Sequence, residues 1–286
     1  MDDPTERGDV RFRPMRPEDL PAAERLSAES FLELDRRERP RSLPEPEARS
    51  SRDAAGWVTR TGHLLRTDPG GCWVAEDASG LLALATYAVR PGLQGRGLGK
   101  AVLAPALHHG RGSLRGMLSS STDPRAVRRY RLAGFTPHPQ MTLTGVVDRA
   151  AIPVVTKVRD GGAGDVDLMD SVDRATRGAA HGPDHELMLR AWRLLVSDTT
   201  TGSGYAYVDG GRLALLAATN RRTATRLLWA ALADGGDDAS VRHVTAANEW
   251  ALDVAVAARL EIRTDGYLAL RGMAPPAPYL HHGALL

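Results

Sequence analysis

The stretch Val89 to Ala101, VRPGLQGRGLGKA, constrains this chain more than any other. An apolar run, Leu81 to Val89, reads as a strand that enters a turn with glycine at every second position, and a helical apolar pattern follows. Gly95, Gly97 and Gly99 carry no Cβ, so the backbone there can take positive φ and turn its N–H groups onto an anion. The start of the next helix adds unpaired donors and the positive end of its dipole. A diphosphate fits such a place. A solvated glycine loop without a ligand is the alternative reading.

Two phosphate loops are excluded by the letters. A Walker loop, GxxxxGK followed by Ser or Thr, would need glycine at Gln94 and a hydroxyl residue at Ala101. A dinucleotide loop, GxGxxG, would need its third glycine where Val102 stands.

What remains is Gln94, Gly97 and Gly99 in the order QxxGxG, preceded by Val89, Arg90 and Pro91. This resembles the acetyl-coenzyme A loop of the GNAT superfamily of N-acetyltransferases. The resemblance implies that the backbone of Gln94, Gly95, Arg96, Gly97, Leu98, Gly99 and Lys100 holds the pyrophosphate. It also implies that the strand end, Tyr87, Ala88 and Val89, pairs with the pantetheine arm. A second stretch, DPRAVRRYRLAGF, is similar to a later motif of the same family in Asp123, Ala126, Tyr130, Gly134 and Phe135, with Asp in place of the usual Asn. By resemblance Asp123 and Arg125 join the cofactor site and Tyr130 is the general acid toward the thiolate sulfur. A core-facing helical tyrosine is the other reading of Tyr130.

The 286 residues allow two domains of ordinary size, and the order of elements supports two. In the first, residues 1–150, a short strand at Val10 to Arg13 leads to a helix from about Glu18 to Glu33. An exposed charged loop, Arg36 to Arg52, follows, and its Glu45 and Glu47 could attract an amine. A second helix is spaced by Ala54, Trp57, Val58, Thr61 and Leu65, and Cys72 to Glu76 is a strand. After the glycine turn a helix continues through Leu107, with Pro105 expected to kink or end it. Met117 to Ser121 is a strand, Asp123 and Pro124 start a helix, Gly134 ends it, and Phe135 to Val146 is extended.

From Val154 the pattern begins again over residues 151–286: a strand at Val154 to Val158, a helix at Asp165 to Arg177 and another at Pro183 to Val196. Strands at Tyr205 to Val208 and Arg212 to Ala218 flank a Gly210-Gly211 turn. A helix at Thr223 to Ala233, a strand at Val241 to Ala246, a helix at Glu249 to Leu260 and extended chain to Leu270 complete the lobe. The fold class is α/β: two tandem GNAT-like domains, each a mixed, mostly antiparallel sheet flanked by helices. Asn220 to Thr225 stand where the first lobe has glycines, and their side chains would block close approach of a diphosphate. Asn248 aligns with Asp123, and Ala255 with Tyr130. The second lobe thus reads as a degenerate copy that binds no cofactor, and as a dimer surface or acceptor wall at most. Trp192, Trp229 and Trp250 read as core, and the tail from Pro275 as a strap across the first lobe or a frayed end.

A formal net charge of +2 with dispersed arginines gives no case for nucleic acid, and no apolar run is long enough to span a bilayer. The acidic, polar start resembles no signal peptide, which points to the cytoplasm. The single cysteine, Cys72, reads as a small buried residue, and the pairs His108, His109 and His281, His282 lack metal-ligand spacing, so no metal is expected.

The resemblance implies acetyl-coenzyme A as cofactor and direct attack of an amine, from a small molecule or a peptide, on the thioester. A backbone N–H near Ala88 to Arg90 would face the oxyanion. No glutamate stands in Leu81 to Val89 to act as base, and Glu76, Glu29 and His63 are bare candidates, so the base stays unassigned. The family has two strands between the Gly80 and Gly92 turns, whereas Leu81 to Val89 offers residues for one. Either a strand is lost, or a segment near Ala85 to Tyr87 is missing. A noncatalytic coenzyme A-binding protein, monomeric or dimeric, is the competing reading.

Overall fold

The computed structural model describes residues 6–7, 10–38, 44–84, 88–236 and 238–286. They fall into two compact units, Met1–Leu114 and Arg115–Leu286.

The first unit holds β1 (Glu6–Arg7), β2 (Val10–Pro14), α1 (Leu20–Glu38), α2 (Ser51–Thr67), β3 (Trp73–Asp77), β4 (Gly80–Leu84), β5 (Ala88–Val89) and α3 (Leu98–His109). The strands form one antiparallel sheet in chain order. Alternation along the strands splits its apolar residues between two faces. Val74, Leu81 and Ala88 pack with Ala23, Leu26 and Leu65 of α1 and α2, while Phe12, Ala75 and Ala83 pack with Leu98 and Val102 of α3. Helices therefore cover both sides of the sheet. α2 starts where Ser50 Oγ accepts the Asp53 amide at 3.1 Å, an N-cap that satisfies a donor the helix cannot.

Cys72 is buried, and burial pushes its thiol up to about 11, so it is an inert core residue at neutral pH. α1 runs five residues past its expected end at Glu33, to Glu38. Pro105 lies inside α3 without ending it, and the helix continues to His109.

The single strand expected over Leu81 to Val89 is corrected to two. β4 and β5 pair antiparallel, Ala83 with Val89 and Leu84 with Ala88. The family's second strand is thus present in short form. Tyr87, expected beside the pantetheine arm, and the whole connection 85–87 lie outside the described residues.

The second unit holds β6 (Gly116–Ser120), α4 (Pro124–Leu132), β7 (Thr136–Val146), β8 (Arg159–Asp160), α5 (Val166–Thr176), α6 (Asp184–Ala191), β9 (Arg193–Thr199), β10 (Gly202–Asp209), β11 (Arg212–Ala218), α7 (Arg221–Asp234), β12 (Asp238–Thr245), α8 (Trp250–Ala257), β13 (Glu261–Arg271) and β14 (Tyr279–Leu280). Its sheet runs β6-β13-β7-β12-β11-β10-β9-β8, with β14 joined to β11. All pairs are antiparallel except β11 with β12, so the sheet is mixed. β6 and β7, which the sequence reading placed in residues 1–150, hydrogen bond to β13 and to β12 and β13. Leu227, Leu228 and Leu232 of α7 are fully buried among Leu216, Val241, Val244, Trp250 and Val254, each burial worth roughly 1.5–3 kcal/mol.

Three expectations are corrected in this unit. Residues 154–158 are not a strand, and the pairing starts at Arg159. The helix expected over Pro183 to Val196 stops at Ala191, and Arg193–Thr199 is the strand β9, whose Leu194, Leu195 and Val196 are buried. A continuous apolar run of that length fits either state, and pairing with β10 selects the strand. The tail is not frayed: Tyr279 and Leu280 pair with Ala217 and Leu216 of β11, and His281 meets Gln140 of β7.

Candidate functional site

In the first unit the chain leaves β5, makes a turn closed by the Leu93 amide on the Arg90 carbonyl at 3.1 Å, and enters α3. Gly95 and Gly97 have φ of 87° and 86°, left-handed values that a side chain rarely tolerates. Gly97 is the N-cap of α3 and offers no capping side chain. Leu98, buried with Phe12, Ala75 and Ala83, anchors the first turn of the helix.

Among the described residues, the amides of Gln94, Gly95, Arg96, Gly97, Leu98 and Gly99 have no backbone acceptor, whereas Lys100 and Ala101 both donate to the Gly97 carbonyl at 3.1 Å. Six consecutive donors at a positive helix end form a cradle for a polyanion. The amide of Lys100, also expected in the cradle, is occupied. Its side chain and that of Arg96 are exposed and carry positive charge to the rim.

β5 is the last strand of its sheet and pairs with β4 alone. The Val89 carbonyl accepts from the hydroxyl of Ser30 at 3.1 Å and from the side-chain Nε2 of Gln94 at 3.3 Å. Gln94 thus ties the turn to the strand end. Glu76 is excluded as a base: its two oxygens accept from Arg13 at 2.7 and 2.6 Å. Hydrogen bonding to that guanidinium holds its carboxyl below the usual range. Glu29 is exposed and His63 buried.

In the second unit Asp123 caps α4, its Oδ1 accepting the Arg125 amide at 2.9 Å, with Pro124 in the first helical position. The Arg125 guanidinium pairs back to Asp123 at 3.3 Å. Tyr130 is buried near the end of α4, and its carbonyl accepts the amides of Ala133 and Phe135 at 3.0 and 3.1 Å. Gly134 takes a φ of 88°, which lets the chain leave the helix into β7.

At the positions that the sequence aligns with these, the second unit is closed. Where α3 has a bare glycine cap, Asn220 closes α7 with its own side chain, Oδ1 accepting the Thr223 amide at 2.9 Å. The strand matching β5 in the repeat, β11, meets β12 only at Arg212 and Leu213. Beyond them β14 occupies its edge, and the Ala218 amide donates to Pro278 at 3.2 Å.

Asn248, aligned with Asp123, serves this closure. Its Oδ1 accepts Tyr279 N at 2.9 Å and Trp250 Nε1 at 3.1 Å, and its Nδ2 donates to Pro276 O at 3.1 Å and Thr245 Oγ1 at 3.2 Å. With Asn248 buried, Asn248→Ala leaves these groups unpaired. A loss of about 2 kcal/mol in urea unfolding is expected, with faster amide exchange at Tyr279.

One cluster escaped the sequence reading. Asp173, His181 and His185 converge in the second unit, all buried. Its sequence signal is two histidines four apart, His181 and His185, preceded by Asp170 and Asp173.

Residues 23–135 match the sequence profile described as the acetyltransferase (GNAT) family, and this stretch is a GNAT acetyltransferase domain. The fold as a whole is similar to that of a candidate acetyltransferase of Pyrococcus horikoshii, with 17% identity over 98% of this chain and 94% of that one and a TM-score of 0.72. It is also similar to GCN5-related N-acetyltransferases of Kribbella flavida, with 15% identity, 92% and 70% coverage and a TM-score of 0.58, and of Sphaerobacter thermophilus, with 15%, 93% and 96%, and 0.56. No curated protein matches the sequence. No helix among the described residues is long and apolar enough to cross a membrane.

Proposed function

We propose that this chain is an acetyl-coenzyme A-dependent N-acetyltransferase that acetylates a primary amine of a small molecule or peptide, and that residues 151–286 form a noncatalytic copy. The unsatisfied amides of Gln94 to Gly99 at a glycine-capped helix carry the reading. They would hold the pyrophosphate, with Arg96 and Lys100 at the rim. The strand end at Ala88 and Val89 would pair with the amide-bearing pantetheine arm, with the Val89 carbonyl, held by Ser30 and Gln94, needing to exchange those partners to take part. The reading is of a cytoplasmic protein, monomer or homodimer.

The reaction needs alignment of amine and thioester, a donor for the oxyanion and a proton for the departing sulfur. The amine attacks the carbonyl carbon, the C–S bond breaks, and Tyr130 gives its proton to the thiolate. A phenol with pKa near 10 stays protonated at neutral pH and suits that task. With Glu76 bound to Arg13, the amine's proton leaves to water or to the acceptor's own surroundings.

The test is turnover of a panel of amines with labelled acetyl-coenzyme A, with calorimetry of coenzyme A binding beside it. Tyr130→Phe should lower kcat about 100-fold while the dissociation constant for coenzyme A stays within about twofold. Binding without turnover on any amine would favour the noncatalytic reading. Absence of binding would overturn both.

A further inference from the structure

We propose that Asp173, His181 and His185 bind one divalent transition-metal ion of the zinc class, a structural metal inside the second lobe. The proposal is independent of the cofactor site.

Three observations carry it. First, the ligand atoms converge: Asp173 Oδ2 lies 2.8 Å from His181 Nδ1 and 3.2 Å from His185 Nε2, and all three lie within 4.8 Å of one another. Bonds of about 2.0–2.1 Å in a tetrahedron set ligand atoms roughly 3.3 Å apart, so small outward shifts admit the ion. Aspartate oxygen with two imidazoles is a donor set that suits zinc, cobalt or nickel over calcium or magnesium.

Second, every ligand is oriented from behind. His181 Nε2 meets Tyr279 Oη at 3.3 Å, His185 Nδ1 meets Tyr207 Oη at 3.1 Å, and Tyr205 Oη donates to Asp173 Oδ1 at 2.5 Å. Each imidazole therefore presents one nitrogen to the centre while a tyrosine hydroxyl holds the other. The other carboxylate oxygen, Oδ2, faces the centre while also accepting the His181 backbone amide at 3.2 Å. This is the outer shell by which proteins fix metal ligands.

Third, the charge calls for a cation. The side chains of Asp173 and His181 have no solvent exposure and that of His185 has 1%. Among the described residues, the ion-pair partners of Asp173 are the imidazoles of His181 and His185, at 2.8 and 3.2 Å, and a divalent ion held between them would add positive charge at the buried carboxylate. Asp170 Oδ1 lies 3.4 Å from His185 Nε2 but accepts the Gly182 amide at 3.2 Å, and Oδ2 lies 3.6 Å from Arg174 Nη2; with its side chain 16% exposed, Asp170 would have to turn from these partners to serve as a fourth ligand.

The four residues come from α5, the loop before α6, and α6 itself, while their supporting tyrosines come from β10 and β14. A bound ion would therefore join two helices to the sheet and to the C-terminal strand.

The experiment uses the full chain without an affinity tag, stripped with chelator and titrated with Co2+ and then Zn2+. Expected are one Co2+ per chain with visible d–d absorption, its displacement by Zn2+, two imidazoles in the X-ray absorption spectrum, and a raised Tm. His185→Gln and Asp173→Asn should each weaken Co2+ binding at least 100-fold. Should either variant fail to fold, the stoichiometry and the imidazole count on the unaltered chain decide. No uptake at micromolar metal, or uptake that folded His185→Gln and Asp173→Asn both retain, overturns the proposal. Coenzyme A binding, measured in parallel on stripped and loaded protein, separates its failure from that of the acetyltransferase reading.

Discussion

Arg13→Met is expected to cost the first unit about 3–5 kcal/mol, enough to threaten a fold of ordinary stability. Arg13 lies on β2 with its side chain 10% exposed and holds Asp19 at 2.7 and 2.9 Å and Glu76 at 2.7 and 2.6 Å. Asp19 in turn accepts the Arg16 amide at 2.8 Å at the entrance to α1. One guanidinium thus pins the start of that helix to β3. Methionine keeps most of the volume but leaves a carboxylate with 9% side-chain exposure without its cation. Such a charge must be rehydrated by opening the structure or be protonated.

The pH dependence follows from the same contacts. Burial raises the Asp19 pKa, but the hydrogen bonds from Arg13 and the Arg16 amide outweigh it and hold the carboxyl below its ordinary value. Glu76 is lowered by Arg13 directly. Groups lowered on folding stabilise above their unfolded pKa values, about 4, and lose that contribution as pH falls through the folded ones. Urea unfolding should therefore show a wide gap between the two proteins at pH 7 that closes as the medium turns acidic. A difference below about 1 kcal/mol at pH 7 would mean that the two acids simply rehydrate.

Gly97→Val is expected to weaken coenzyme A binding at least 100-fold, about 2.7 kcal/mol, under the proposed function. A φ of 86° at the N-cap of α3 is closed to a β-branched residue. Relief requires the turn to rotate, which carries the amides of Gly97 and Leu98 out of the cradle. Two hydrogen bonds to a charged phosphate, at about 1.5–3 kcal/mol each, account for the loss. Gly95→Ala makes the comparison, because a Cβ there meets nothing within 4 Å. Its effect should be confined to backbone strain and be clearly smaller. Calorimetry on both variants checks the ranking, and equal losses would mean that strain, not amide position, governs binding.

The parts legible in advance were those written in local backbone chemistry. Glycines at 95 and 97 demand positive φ, Asp123 followed by Pro124 starts a helix, and Gly134 ends it, each within a few residues of its consequence. The hairpin of β4 and β5 was read as one strand because an unbroken apolar run carries no sign of where it folds back. β9 was read as helix for a related reason: its apolar run fits both periods, and its partner β10 lies beyond a separate turn.

By itself, then, the chain's order of residues determined a glycine-capped helix behind a strand and the family that this stretch resembles. Only the tertiary structure decided that β14 would lie on β11, that Arg13 would reach Glu76 across 63 positions, and that Tyr279 would stand behind His181 across 98. The physical reason is range. A turn or a cap is a property of a few successive dihedral angles, whereas a buried charge or a strand edge takes whichever distant partner leaves no polar group unpaired. That choice exists only once the sheets have assembled.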